Sequence, residues 1–149
     1  MKVLLIFDLN GTLILRRKGE IHTRKNLKEL KDFCFSIADI GIYTSMLYKN
    51  LKLEEIFSKE EEMKLKFIWD RSKTLKDEDG VNEWDTIKSL DNLIIEFPHY
   101  DKIIIIDDSH KKVRYIDNKN KIIIPSFTDH KEKENVLINL IDEIKFKLI

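Results

Sequence analysis

Four short apolar runs punctuate the chain, at residues 3–7, 39–43, 103–106 and 122–124. Each has the length of a strand, is partly β-branched or aromatic, and ends in polar residues. The second run is the weakest, and Pro125 closes the fourth. Runs that stay apolar at successive positions suit parallel strands covered on both faces. Between the runs the spacing of apolar positions changes to three and four. Leu27, Leu30, Lys31, Cys34 and Ile37 mark an amphipathic helix over residues 24–38. Residues 46–57 read as a second, shorter helix. Residues 82–96 read as a third, with Trp84, Ile87, Leu90 and Ile94 on one side, and residues 132–146 as a fourth, with Val136, Leu137, Leu140, Ile141 and Ile144 inward. The polar stretch 72–83 reads as a loop, and the Glu-rich run 59–66 as a solvated helical segment. Strands alternating with helices predict an α/β fold of three layers, a parallel sheet with helices on both faces, in one domain over residues 1–149.

The bulk composition narrows the function classes. Hydrophobic residues make up 42% of the 149, enough for a proper core. Lysine and arginine number 27 and so do aspartate and glutamate, so the basic excess of a nucleic-acid binder is missing. The single cysteine, Cys34, cannot form an internal disulfide and is expected as a small buried hydrophobe, which suits a reducing compartment, cytoplasmic or nuclear. The N-terminal apolar run meets Asp8 too early for a secretory core, and no stretch approaches the roughly 18 apolar residues of a membrane helix. No membrane partner is expected.

In an open parallel sheet, ligands sit beyond the carboxyl ends of the strands. The first run ends in Asp8-Leu9-Asn10-Gly11-Thr12-Leu13, the second in Thr44-Ser45, the third in Asp107-Asp108-Ser109, and Lys88 falls between the last two. Phosphoryl transfer asks for this mixture. A carboxylate nucleophile can divide a hydrolysis into two easier steps through an aspartyl phosphate. Further carboxylates can hold Mg²⁺, which prefers oxygen ligands, and the ion offsets repulsion between nucleophile and phosphate. Hydroxyls, backbone N–H groups and a lysine can hold the remaining phosphate oxygens. Gly11 allows a sharp turn after the nucleophile.

These four segments, in this order, resemble the motifs of the haloacid-dehalogenase-like superfamily, whose first motif has the form Asp-x-Asp-Gly-Thr-Leu. No insertion is long enough for a large cap. Ile42-Tyr43-Thr44-Ser45, Phe67-Ile68-Trp69-Asp70-Arg71-Ser72, Ile105-Ile106-Asp107-Asp108-Ser109 and Ile124-Pro125-Ser126-Phe127 are similar to the RNA polymerase II carboxy-terminal-domain phosphatases, also called NLI-interacting-factor-like. The resemblance implies a HAD-like Rossmannoid sheet with a small β flap over residues 14–22. It implies Asp8 as nucleophile and a Mg²⁺ site drawn from Asp8, the backbone carbonyl of Asn10, and the pair Asp107 and Asp108, with Asp107 orienting Lys88. It further implies phosphate contacts from Thr44 and Lys88, with Thr12, Ser45 and Ser109 as additional candidates, and a phosphorylated protein or peptide as substrate.

Position 10 departs from the pattern. Most active relatives carry a second Asp there, which protonates the leaving group and then activates water. An amide does neither, and losing a general acid–base costs about 10²–10⁴-fold in rate. Asn10 therefore leaves three readings: a phosphatase with weakened acid–base catalysis, a pseudophosphatase that binds phosphopeptides without turnover, and a small-molecule phosphatase. Trp69 and Trp84 are expected as core or flap-supporting aromatics, and His22, His99, His110 and His130 as surface residues with no metal-ligand spacing.

Overall fold

The structure, a computed structural model, describes residues 1–149. Nine strands run in chain order as β1 (Val3–Phe7), β2 (Ile14–Arg17), β3 (Glu20–Thr23), β4 (Asp39–Tyr43), β5 (Phe67–Trp69), β6 (Leu75–Lys76), β7 (Thr86–Ile87), β8 (Lys102–Asp107) and β9 (Lys121–Ile123). Four α-helices accompany them, α1 (Leu27–Ile37), α2 (Lys59–Lys64), α3 (Leu90–Glu96) and α4 (Val136–Lys147). Strands β5, β4, β1, β8 and β9 form one sheet in that order, parallel throughout. The fold is thus the expected α/β arrangement with a central parallel sheet and no large cap.

The central strand explains why its run is apolar at every position. Val3, Leu5 and Phe7 join a core of 22 buried residues that also holds Leu30 and Cys34 of α1 and Leu137, Leu140 and Ile144 of α4. Leu4 and Ile6 face a smaller core of nine, with Trp69, Leu93, Val113 and Ile116. Successive side chains point to opposite faces, so a strand buried on both must be apolar throughout. The smaller core needs less cover, and the seven-residue α3 supplies part of it. Two hairpins stand apart from the sheet: β2–β3 over the region expected as the flap, and β6–β7.

Three local expectations need correction. Residues 46–57 form no α-helix but two single 3₁₀ turns, Tyr48–Asn50 and Leu53–Glu55, joined through an extended Leu51. The turns suffice to bury Leu53, Ile56 and Phe57 in the larger core. The helix expected over 82–96 begins only at Leu90. Asp85 accepts hydrogen bonds from the backbone N–H groups of Val81 and Asn82 at 3.0 and 2.9 Å, and this local pairing competes with helix formation. Thr86 and Ile87 then pair with β6 instead, so Leu93 faces the core while Ile94 and Trp84 are about half exposed. The polar stretch 72–83, expected as loop, contains β6 and part of a 3₁₀ turn, Arg71–Lys73.

A buried arginine locks the loop after β1 to the segment after β9. Arg24, 2% exposed, donates through Nε and Nη2 to the Glu132 carboxylate at 2.9 and 2.8 Å. It also donates to the carbonyls of Thr12 (3.1 Å) and Pro125 (2.8 Å), and lies over the Phe127 ring. The Phe127 N–H donates to the Gly11 carbonyl at 2.7 Å. Removing one partner of a buried ion pair strands the other, at about 3–5 kcal/mol. Arg24→Met is therefore expected to lose about 3 kcal/mol of stability by urea denaturation, at the lower end because Glu132 is partly solvated. A loss below about 0.5 kcal/mol would contradict the clamp.

Candidate active site

The parallel register brings the ends of β1 and β8 side by side. Phe7 pairs with Ile106, and the Asp8 N–H donates to the Ile106 carbonyl at 3.0 Å, so Asp8 and Asp107 leave the sheet as neighbours. Asp8, Thr12, Thr44, Lys88 and Asp107 are all buried. Lys88 is not on a helix as expected. It follows β7, and its backbone N–H donates to the Lys112 carbonyl at 2.8 Å. Its ammonium reaches Asp107 Oδ2 at 2.6 Å and Asp8 Oδ1 at 3.1 Å.

Every oxygen in this cluster has an assigned neighbour. The other oxygen of Asp107 accepts from the Ser109 N–H at 2.9 Å, so both of its oxygens are engaged. Thr12 Oγ1 lies 3.0 Å from Asp8 Oδ2 and 3.1 Å from Asp108 Oδ1, so its single proton serves one carboxylate at a time. Ser126 donates to Asp108 Oδ2 at 2.7 Å. The loop can pass this close to Asp108 because residue 11 is glycine. A Cβ there would fall 2.6 Å from Asp108 Oδ2, and its φ of +89° is a left-handed conformation that side chains disfavour. Thr44 Oγ1 accepts from the Met46 N–H at 3.1 Å and keeps its own proton to donate. Ser45 offers its carbonyl to Arg71 Nε at 2.8 Å, and the Ser109 hydroxyl faces the Lys112 N–H at 3.4 Å. Asn10 is exposed, and its Oδ1 accepts from the Arg16 N–H of β2 at 2.9 Å, tying the flap to the loop.

Ligand oxygens of Asp8, Asp107 and Asp108 all lie within 4.8 Å of one another. Three carboxylates face one ammonium, which leaves an excess of two negative charges when all are ionised. An all-oxygen donor set with that excess fits a hard divalent cation. The charge crowding shows in protonation. Burial, and then the Asp107 carboxylate, push Asp8 up to about 8, against the opposing pull of Lys88. Burial alone would lower Lys88, but Asp107 and Asp8 outweigh it and hold its ammonium above the ordinary value.

Several residues around the site carried no sequence signal. Arg24 ties the Thr12 loop to the Pro125 segment and Ser126 holds the Asp108 carboxylate, and neither has a spacing that marks it. Arg16, Arg71, Trp84 and Lys112 line a cleft of about 260 Å³ together with Asn10 and Ser45. Trp84 is 55% exposed at this cleft rather than a core aromatic, whereas Trp69 is in the core. Cys34 is buried, and burial pushes its thiol up to about 12.

The sequence from residue 3 to residue 148 matches the family described as NLI interacting factor-like phosphatase. The chain belongs to that family. Among solved structures it is similar to that of Fcp1, described as an essential RNA polymerase II CTD phosphatase, with a TM-score of 0.61 and 17% identity over 99% of this chain and 48% of the other. A substituted form of the fission yeast Fcp1, bound to beryllium fluoride, gives a TM-score of 0.61 and 16% identity over 99% of this chain and 50% of that one. This member of the family thus shares the fold of Fcp1 and spans about half the length of those Fcp1 chains. No curated protein sequence matches it. No helix is long and apolar enough to cross a membrane.

The raised Asp8 gives a pH signature. Its folded-state proton is held up to about pH 8, while the unfolded carboxyl releases it near 4, so the contribution is present below that range and is lost as pH rises. Glu61, Asp70, Asp77 and Asp85 are held below the usual carboxylate range and act under pH 4.5. In metal-free buffer, stability should therefore fall as pH rises from 5 to 8, and Asp8→Asn should flatten that slope. Urea midpoints across this range check it, and an unchanged slope in Asp8→Asn would contradict the assignment.

Proposed function

We propose that this chain is a Mg²⁺-dependent phosphomonoesterase of the NLI-interacting-factor-like type that acts on phosphorylated protein side chains, with acid–base catalysis weakened by Asn10. The observation that carries the reading is the buried Asp8 carboxylate held at 3.1 Å by the Lys88 ammonium beside Asp107 and Asp108. Fcp1, whose fold it shares, is described as a CTD phosphatase. The thin β2–β3 flap and the absence of a large cap favour a protein or peptide substrate over an enclosed metabolite. One domain over residues 1–149 would carry the activity, in the cytoplasm or nucleus.

In this reading Asp8, Asp108 and the Asn10 carbonyl would hold Mg²⁺, and Asp107 would serve chiefly to anchor Lys88, since both of its oxygens already accept hydrogen bonds. Bound Mg²⁺ would supply the positive charge that keeps Asp8 ionised and offsets its repulsion from the phosphate. Lys88 and the free proton of Thr44 bind phosphate oxygens, with Ser45, Thr12 and Ser109 at the margins. Asp8 forms an O–P bond as the bond from phosphorus to the side-chain oxygen breaks, giving an aspartyl phosphate. The departing oxygen takes a proton, which an Asn10 amide cannot supply, so that proton comes from solvent. Water then attacks phosphorus as the aspartyl O–P bond breaks, which returns the Asp8 carboxylate and releases inorganic phosphate, and the proton of the water passes to solvent, since position 10 offers no base. Asn10 also supports a second reading, a pseudophosphatase that captures phosphopeptides without turnover.

Hydrolysis of an aryl phosphate and of a phosphoserine peptide, with and without Mg²⁺, tests the proposal. Wild type should show weak Mg²⁺-dependent turnover, Asp8→Asn none, and Asn10→Asp a gain on the order of 10²-fold, larger on the peptide because its leaving oxygen needs a proton more. Silence of both wild type and Asn10→Asp on every phosphate would favour the pseudophosphatase.

A further inference from the structure

The cleft beside Asn10 and Ser45 carries basic side chains to which the proposed chemistry assigns no role. Arg16, Arg71 and Lys112 line it and no carboxylate does. Arg16 Nε is buried without any hydrogen-bond partner. Arg71 spends Nε on the Ser45 carbonyl, and its nearest carboxylate, Glu83, is 3.9 Å away and 90% exposed. Lys112 donates only to the Trp84 carbonyl, at 2.5 Å. Three cations converge with most of their donors unfilled. A dianion with several acceptor oxygens suits a cleft lined by three cationic side chains and no carboxylate.

We infer that this cleft takes a second phosphate of the substrate, so that the preferred ligand is a peptide phosphorylated at two nearby side chains. The inference rests on the phosphopeptide reading above. Asn10 joins the two places, since it lies two residues beyond Asp8 and also lines the cleft. An extended peptide spans about 6–7 Å over two residues and presents those side chains on one face. A phosphate matches the fork of Arg16 and the point charge of Lys112, and the exposed Trp84 offers a surface for the intervening chain. A nucleic-acid strand fits less well. The cleft is confined to about 260 Å³, and the 27 basic and 27 acidic residues leave no charged track to follow.

The test measures binding rather than turnover, so it remains readable if hydrolysis fails. Fluorescence anisotropy in Mg²⁺ buffer compares serine peptides carrying hydrolysis-resistant phosphonate analogues of phosphoserine: one with a single analogue, one with two analogues two residues apart, and one with glutamate replacing the second. The doubly substituted peptide should bind about ten- to hundredfold more tightly than the single one. Arg16→Gln and Lys112→Gln should each reduce that preference to about threefold or less, while single-analogue affinity stays within about twofold and thermal unfolding is unchanged. Equal affinities, including no measurable binding of either, would overturn the inference. So would a glutamate peptide that binds as well, a preference that survives both substitutions, or an oligonucleotide that outcompetes the doubly substituted peptide.

Discussion

The site depends on one electrostatic constraint: three carboxylates gathered at the carboxyl ends of two neighbouring strands, with a single buried ammonium among them. Like charges do not collect in a low-dielectric interior unless something compensates. Here Lys88 compensates in part, reaching both Asp107 and Asp8, and the remainder is met by protonation of Asp8 or by a cation. Burial makes the arrangement consequential. Exposed, the same four groups would interact weakly, whereas at a buried position each charge shifts the protonation of the others. In the proposed reading the cluster would receive a dication and an anionic phosphoryl group together.

Much of the fold serves to keep that cluster from relaxing. The parallel register fixes Asp8 against Asp107, and the apolar run of β1 is buried on both faces so that the register cannot slip without exposing it. Gly11 lets the backbone pass within reach of Asp108, and Thr12 and Ser126 hold that carboxylate from two sides. Arg24 then ties the Thr12 loop to the Pro125 segment through one guanidinium. These contacts are long-range in sequence, and together they make the loop after β1 part of the core rather than a surface turn.

The four apolar runs that became β1, β4, β8 and β9, and the polar segments at the ends of the first three, were legible in the sequence because they depend on local pattern. A continuous apolar run, the strand-end position of Asp8, and the order of Thr44, Lys88 and the Asp107–Asp108 pair can all be read without knowing the packing. The elements read wrongly were those where local hydrogen bonding or tertiary demand outweighed spacing. Trp84, Ile87, Leu90 and Ile94 keep a helical interval, but the Asp85 carboxylate captures the N–H groups of Val81 and Asn82, and a hairpin forms where the helix was expected. Leu53, Ile56 and Phe57 reach the core from 3₁₀ turns, which periodicity does not distinguish from a short helix. Arg24, Arg16 and Lys112 had no signal at all among 27 basic residues, because what sets them apart is which carbonyls and carboxylates the fold brings to them.

The central claim is that Asp8, Lys88 and Asp108 together receive a divalent cation and a phosphoryl group. A crystal structure of the protein grown with Mg²⁺ and beryllium fluoride tests it most directly. The account predicts a tetrahedral beryllium fluoride bonded to Asp8, with Lys88 against its fluorines and a cation between Asp8 and Asp108. An unmodified Asp8 with no cation near Asp108, at saturating concentrations of both, would contradict it.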